Sequence, residues 1–153
     1  MHQKISVSEL ADHLGYWLRL VSNNVSTAFA RRLEAEEVTV AEWVVLRELF
    51  DVDELAPSKL AIVMSMTRGA ISKLSDRLLA KCLIERSANL DDGRAHTLRL
   101  SGKGRRLVPK LARLADANDE SFFGVLSSDE QAALRRALEK IAKHHGLNDS
   151  PID

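Results

Sequence analysis

Residues 87–102, SANLDDGRAHTLRLSG, hold the single hairpin signal in a chain whose apolar residues otherwise recur at helical spacing. Asp92-Gly93 is a turn dipeptide between two short runs, Leu83–Ala88 and Ala95–Leu100, that read as strands. The second run alternates, with His96, Leu98 and Leu100 on one face and Ala95, Thr97 and Arg99 on the other. A two-stranded element of this size is stable only when packed on helices. The chain is therefore read as mainly α with a small two-stranded β element. The turn does not need Arg94, so that residue is either solvated surface or is held out by the hairpin towards something negative.

The helices follow from period and caps. Val7, Leu10, Leu14, Trp17, Val21, Val25, Ala28 and Leu33 recur at three- and four-residue steps and predict a long first helix, opened by a Ser6/Glu9 capping box. It is long for a small domain, which suggests an arm that packs outside its own compact core. Thr39 with Glu42 opens a second helix through Trp43, Leu46, Leu49 and Phe50. Pro57 starts a third, Ser58 to about Met64. A break at Ser65-Met66 leads to a fourth, Thr67 to about Lys81, with Ile71, Leu74 and Leu78 facing inward. Ser101 begins a fifth, in which Pro109 predicts a kink or a 3₁₀-like first stretch. Ser127 with Glu130 caps the last helix, Asp129 to about His144, and residues 147–153 read as a frayed tail.

The 22 Lys/Arg and 22 Asp/Glu cancel over 153 residues, but they are not evenly spread. Residues 1–54 carry five basic and ten acidic side chains, a net −5; residues 55–106 carry eleven and four, a net +7; residues 107–153 carry six and eight, a net −2. A basic middle third in a neutral chain is an anion-facing module between acidic arms. The longest apolar runs are far shorter than the roughly 20 residues of a membrane span. The opening MHQKISVSEL has no apolar h-region, and one cysteine, Cys82, cannot form an internal disulfide. The expectation is a cytoplasmic protein with no membrane partner.

Helix, short helix, helix and hairpin is the order of a winged helix-turn-helix. In that reading Thr67, Arg68, Gly69, Ser72, Lys73 and Arg77 form the face of a recognition helix suited to a B-DNA major groove. Arg68 can fork onto a guanine edge or a phosphate, and Gly69 keeps the helix slim where it must come close. Ser58 and Lys59, one helix earlier, are placed at the DNA backbone. Arg94 at the wing tip suits a minor groove, with Asp92 holding its guanidinium or capping the turn. No catalytic constellation is present, and the expectation is no enzyme activity and no cofactor.

The stretch PSKLAIVMSMTRGAISKLSDRLLAKCLIERSANLDDGRAHTLRLSGKGRRL resembles the MarR family of bacterial transcriptional regulators. The matching features are the helix-turn-helix, LIER, the Asp92-x-Arg94 wing and LRLSGKG. The resemblance implies a single domain over 1–153. Residues 1–36 and 102–146 would be dimerisation helices around a winged helix-turn-helix lobe at 39–100. It implies a homodimer on a pseudo-palindromic double-stranded operator, acting as a repressor released by a small aromatic or anionic effector. Where the family commonly has glycine after the recognition helix, this chain has Cys82, which must adopt a costly left-handed backbone unless the helix ends differently. Cys82 is read as a small, semi-buried structural residue, since residues 1–50 lack the first-helix cysteine of the family's peroxide-sensing branch.

Tyr16, Trp17, Arg19 and Trp43 are candidates for an effector pocket, aromatic walls plus one cation. The plainer reading makes both tryptophans core or interface residues. The five histidines form no metal-ligand spacing. Two alternatives stay open for the function: a winged helix used as a protein-interaction scaffold, and a non-specific architectural DNA-binding module.

Overall fold

The computed structural model describes residues 5–88 and 96–148. A 3₁₀ turn, Leu10–Asp12, precedes α1 (Leu14–Glu34), α2 (Val40–Phe50), α3 (Pro57–Val63) and α4 (Arg68–Ala80). Then come β1 (Ile84–Ala88), β2 (His96–Leu100), α5 (Gly102–Phe123) and α6 (Ser128–His144). The strands pair antiparallel in the register Ile84↔Leu100 to Ala88↔His96. A one-residue bridge adds to them: Leu55, between α2 and α3, exchanges two 2.9 Å backbone bonds with Leu98. The expected Asp92-Gly93 turn lies outside the described residues.

Hydroxyls close four helix starts. Thr39, Thr67, Ser101 and Ser127 accept from the N–H groups of Glu42, Ala70, Gly104 and Glu130 at 3.0 to 3.2 Å, satisfying donors that the first turn leaves orphaned. At Ser127 the box is reciprocal, because Glu130 accepts from the Ser127 N–H at 3.0 Å. The bonds from the Ser127 amide and hydroxyl hold the Glu130 carboxyl below the usual carboxylate range. The helix ends are equally regular. Glu37 (φ 58°), Ser65 (φ 50°), Cys82 (φ 58°) and Gly146 (φ 64°) are left-handed. The next N–H reaches back over each turn: Val38 to Leu33, Met66 to Ala61, Leu83 to Leu78 and Leu147 to Ala142, at 2.9 to 3.3 Å. These are Schellman closures. Cys82 thus takes the costly backbone rather than a different helix end. Leu147, expected in the frayed tail, closes α6, and residues 149–153 lie outside the described residues.

Two expectations are corrected. The first helix does not start at Ser6/Glu9. Glu9 N–H donates to Asp12 at 2.8 Å, His13 Nδ1 lies 3.0 Å from the Glu9 carbonyl, and Trp17 Nε1 donates to the Ala11 carbonyl at 2.8 Å. These local bonds compete with helical ones, so a 3₁₀ turn forms and α1 begins at Leu14. Nor does Pro109 mark a 3₁₀ stretch, for α5 runs as α-helix through it from Gly102 to Phe123.

The core is centred on α2 to α4 and the sheet, and Leu33 of α1 with Val108 and Leu111 of α5 complete it. Its fully buried side chains include Leu33, Leu46, Leu49, Leu60, Leu74, Leu78, Leu98 and Leu111, drawn from α1 to α5 and the sheet. Of α1's 21 residues only Leu33 is buried, and α6 buries none. The start of α5 passes close under the wing's root. Ser101 N–H donates to the Leu83 carbonyl at 3.1 Å, and the Ser101 hydroxyl donates to the Cys82 carbonyl at 2.6 Å. A Cβ on buried Gly104 would sit 2.0 Å from the Leu83 oxygen. Only glycine fits there. Gly104→Ala is expected to destabilise the protein by about 1–3 kcal/mol, the usual range for overpacking. Gly102→Ala, whose methyl would meet only the mobile end of Arg106 at 3.3 Å, should stay within about 0.5 kcal/mol. Urea midpoints of the two variants check the contrast.

Candidate nucleic-acid interface

Ten of the thirteen residues of α4 define two faces, while Ala70 and Leu79 are half-buried and Ala80 is exposed at its end. Ile71, Leu74, Ser75 and Leu78 are buried, while Arg68, Gly69, Ser72, Lys73, Asp76 and Arg77 are exposed. At about 100° per residue the exposed set covers half the helix circumference. Thr67 is the N-cap and accepts from Ala70 at 3.1 Å, so its own O–H is left to donate outward. Ser58 and Lys59 are exposed on the first turn of α3.

Every described candidate for the DNA face is therefore at the surface. Among the described residues, no ion pair involves Lys59, Arg68, Lys73 or Arg77. These cations keep their charge unneutralised, and Arg68 does so in the first turn of α4, where the helix N-terminus also favours phosphate. Asp92 and Arg94 lie outside the described residues. The sequence reading missed Arg86. It sits on β1 and reaches Asp76 on the outward face of α4 at 3.4 Å. Its alternation in the strand gives its direction, but only the packing of β1 on α4 brings it to Asp76.

Within one chain, Tyr16 and Trp17 are not brought together with Trp43. Tyr16 and Trp17 pack edge to face at 5.5 Å near the start of α1, half-exposed. Trp43 packs edge to face on Phe29 at 6.5 Å. Phe29 is twelve residues beyond Trp17 on α1, about 18 Å along the axis. Trp43 instead lines a cleft of about 390 Å³ with Phe29, Val44, Arg47 and Asn118, between α1, α2 and α5. Buried Asn118 donates to the Val25 carbonyl at 3.1 Å and accepts from Arg32 at 3.3 Å. Cys82 is corrected too. It is exposed rather than semi-buried, because a left-handed C′ residue points away from the helix it ends.

Residues 38–96 match the MarR family. An HTH-type transcriptional regulator of Bacillus cereus (strain ZK / E33L) is 29% identical over 141 residues, covering 88% of this chain and 92% of the relative. An HTH-type transcriptional repressor of Mycobacterium bovis is 27% identical over 128 residues, covering 84% and 92%. A mutant MarR from E. coli, complexed with operator DNA, has a TM-score of 0.74 and 26% identity, covering 84% of this chain and 92% of that one.

Gly69 separates packing from binding. A Cβ there would meet nothing nearer than Thr67 Oγ1 at 4.0 Å. Gly69→Ala should therefore stabilise the fold, by about 0.5–1 kcal/mol, as seen in thermal melts. If α4 lies against DNA at this point, the same variant binds DNA more weakly in fluorescence anisotropy.

Proposed function

We propose that this chain, whose residues 38–96 match the MarR family and whose fold is shared with MarR from E. coli, is a winged helix-turn-helix transcriptional regulator, a dimeric repressor of nearby genes that reads a pseudo-palindromic operator. The observation that carries this reading is the outward face of α4, with its unpaired cations and a glycine that internal packing does not require. In the proposal Thr67, Arg68, Gly69, Ser72, Lys73 and Arg77 enter a major groove, Ser58 and Lys59 hold phosphates, and Arg94 with Asp92 serves the adjacent minor groove. Repression is supported by the mycobacterial relative described as a repressor.

Dimerisation is supported by apolar surface that one chain leaves uncovered. Leu14 is 88% exposed on α1, and Leu134, Leu138 and Ile141 are 37%, 42% and 52% exposed along one stripe of α6. We assign α1 with the segment before it, and α5–α6, to the dimer arms. The cleft beside Trp43 is walled by aromatic rings that suit a small aromatic effector; Arg47 there pairs with Asp51 at 2.7 Å, and Glu48 and Asp119 also line it, so an anionic effector would have to take Arg47 from Asp51.

Selection of duplexes from a random pool, with competitor DNA at near-physiological salt, should enrich an inverted repeat whose centres lie about one helical turn apart. Enrichment of no sequence would overturn the reading in favour of phosphate binding without base readout, or of a protein-interaction scaffold. On the selected operator, Arg68→Ala and Arg94→Ala should each weaken binding by about 1–3 kcal/mol. In a Trp17→Phe background, a benzoate-class carboxylate should quench Trp43 fluorescence and lower operator affinity together.

A further inference from the structure

The C-cap residue of α4, Lys81, is tied through one ammonium to the first turn of α2 and to the turn that joins α2 to α1. Lys81 Nζ donates to Glu42 Oε2 at 2.7 Å and to the Glu37 carbonyl at 2.6 Å. Glu42 is 1% exposed, and its other oxygen accepts from the Thr39 hydroxyl at 3.1 Å. The Lys81 carbonyl in turn accepts from Lys103 Nζ on α5 at 3.2 Å. Left-handed residues flank both ends of the clasp: Glu37 carries one of its acceptors, and Cys82 follows Lys81. A charge is thus buried where α1 turns into α2, and its partner comes from the end of the recognition helix. A buried carboxylate is an expensive way to gain stability, since apolar packing of the same volume does as well. What such a pair supplies is a defined geometry.

Resting on the operator-binding reading above, we infer that Glu42 and Lys81 are positioning residues that set the angle of α4 relative to the dimer arm, and so the half-site spacing the protein accepts. The lever is long. α4 has thirteen residues, about 20 Å at 1.5 Å per residue, so a tilt of about 3° at the clasp moves the Thr67–Arg68 end by about 1 Å. Glu42 is buried and Lys81 lies one turn beyond Arg77, at the end of α4 away from Thr67 and Arg68, so their effect on that far end passes through the helix rather than through contact. A one-base-pair change in half-site separation turns one half-site relative to the other by about 35°. A rigidly aimed pair of helices rejects such a change, and a loosely aimed pair tolerates it.

The test uses the full chain and the operator selected from the random pool, with matched duplexes whose centre is one base pair shorter or longer. Glu42→Gln combined with Lys81→Met removes both charges at once, so no buried carboxylate is left alone and net charge is unchanged. The double variant should lose about tenfold of the wild-type preference for correct spacing, comparable to the loss of one base contact. Its affinity for non-specific DNA at low salt should be unchanged. Lys81→Arg, which keeps the pairing, should retain the preference. A double variant that keeps the wild-type ratio overturns the inference. So does a ratio that falls only in step with the folded fraction measured by circular dichroism. Wild-type protein that selects no inverted repeat would sink the operator reading itself, and this inference with it.

Discussion

The approach of Gly104 to the Leu83 carbonyl is the contact on which the architecture turns. It brings the first turn of α5 under the residue that links α4 to β1, at a spacing no side chain permits. Ser101 serves both sides of this junction, capping α5 through Gly104 N–H and donating to the Cys82 carbonyl. The end of α4, the root of the hairpin and the start of α5 therefore meet as backbone against backbone.

Charge segregation has a second use inside the fold. The acidic first third and the basic middle third do more than present opposite faces to solvent. Glu42 of the first third pairs with Lys81 of the middle third at 2.7 Å, and Glu36 pairs with Lys110, beyond the middle third, at 2.8 Å, so the α1–α2 turn and the first turn of α2 are gripped from α4 and α5. Lys81 and Lys110 are spent internally, whereas Lys59, Arg68, Lys73 and Arg77 are not. Net charge per segment does not distinguish these two groups. Pairing geometry does.

The helices of the lobe, their caps and the inward stripe Ile71–Leu74–Leu78 were legible in the sequence because each depends on residues three or four apart. Features set by distant segments were not. The Leu55–Leu98 bridge joins residues 43 apart, and nothing in the loop before Pro57 marks it as a strand partner. Glu42 read as half of a capping box, yet its carboxylate turns inward to a lysine 39 residues away. Tyr16, Trp17, Arg19 and Trp43 were grouped by side-chain chemistry, but helical rise carries the first three well away from Trp43. The 3₁₀ alternative at Pro109 fails for a different reason. A long, continuously packed α5 tolerates the one hydrogen bond that proline removes.

The helix ends place this sequence below the stability its own backbone permits. Glu37, Ser65 and Cys82 hold a conformation that glycine adopts without strain, each at a cost on the order of 1 kcal/mol. At each of these ends the chain carries reserve, open to single substitutions that leave the core untouched. The three sites are not equivalent. Ser65 lies between the two helices of the helix-turn-helix, so relaxing it leaves the arm alone, while Glu37 and Cys82 border the Lys81 clasp. Headroom for a sturdier variant is therefore greatest at Ser65, and evolutionary drift should reach glycine there with the least effect on how the lobe is aimed.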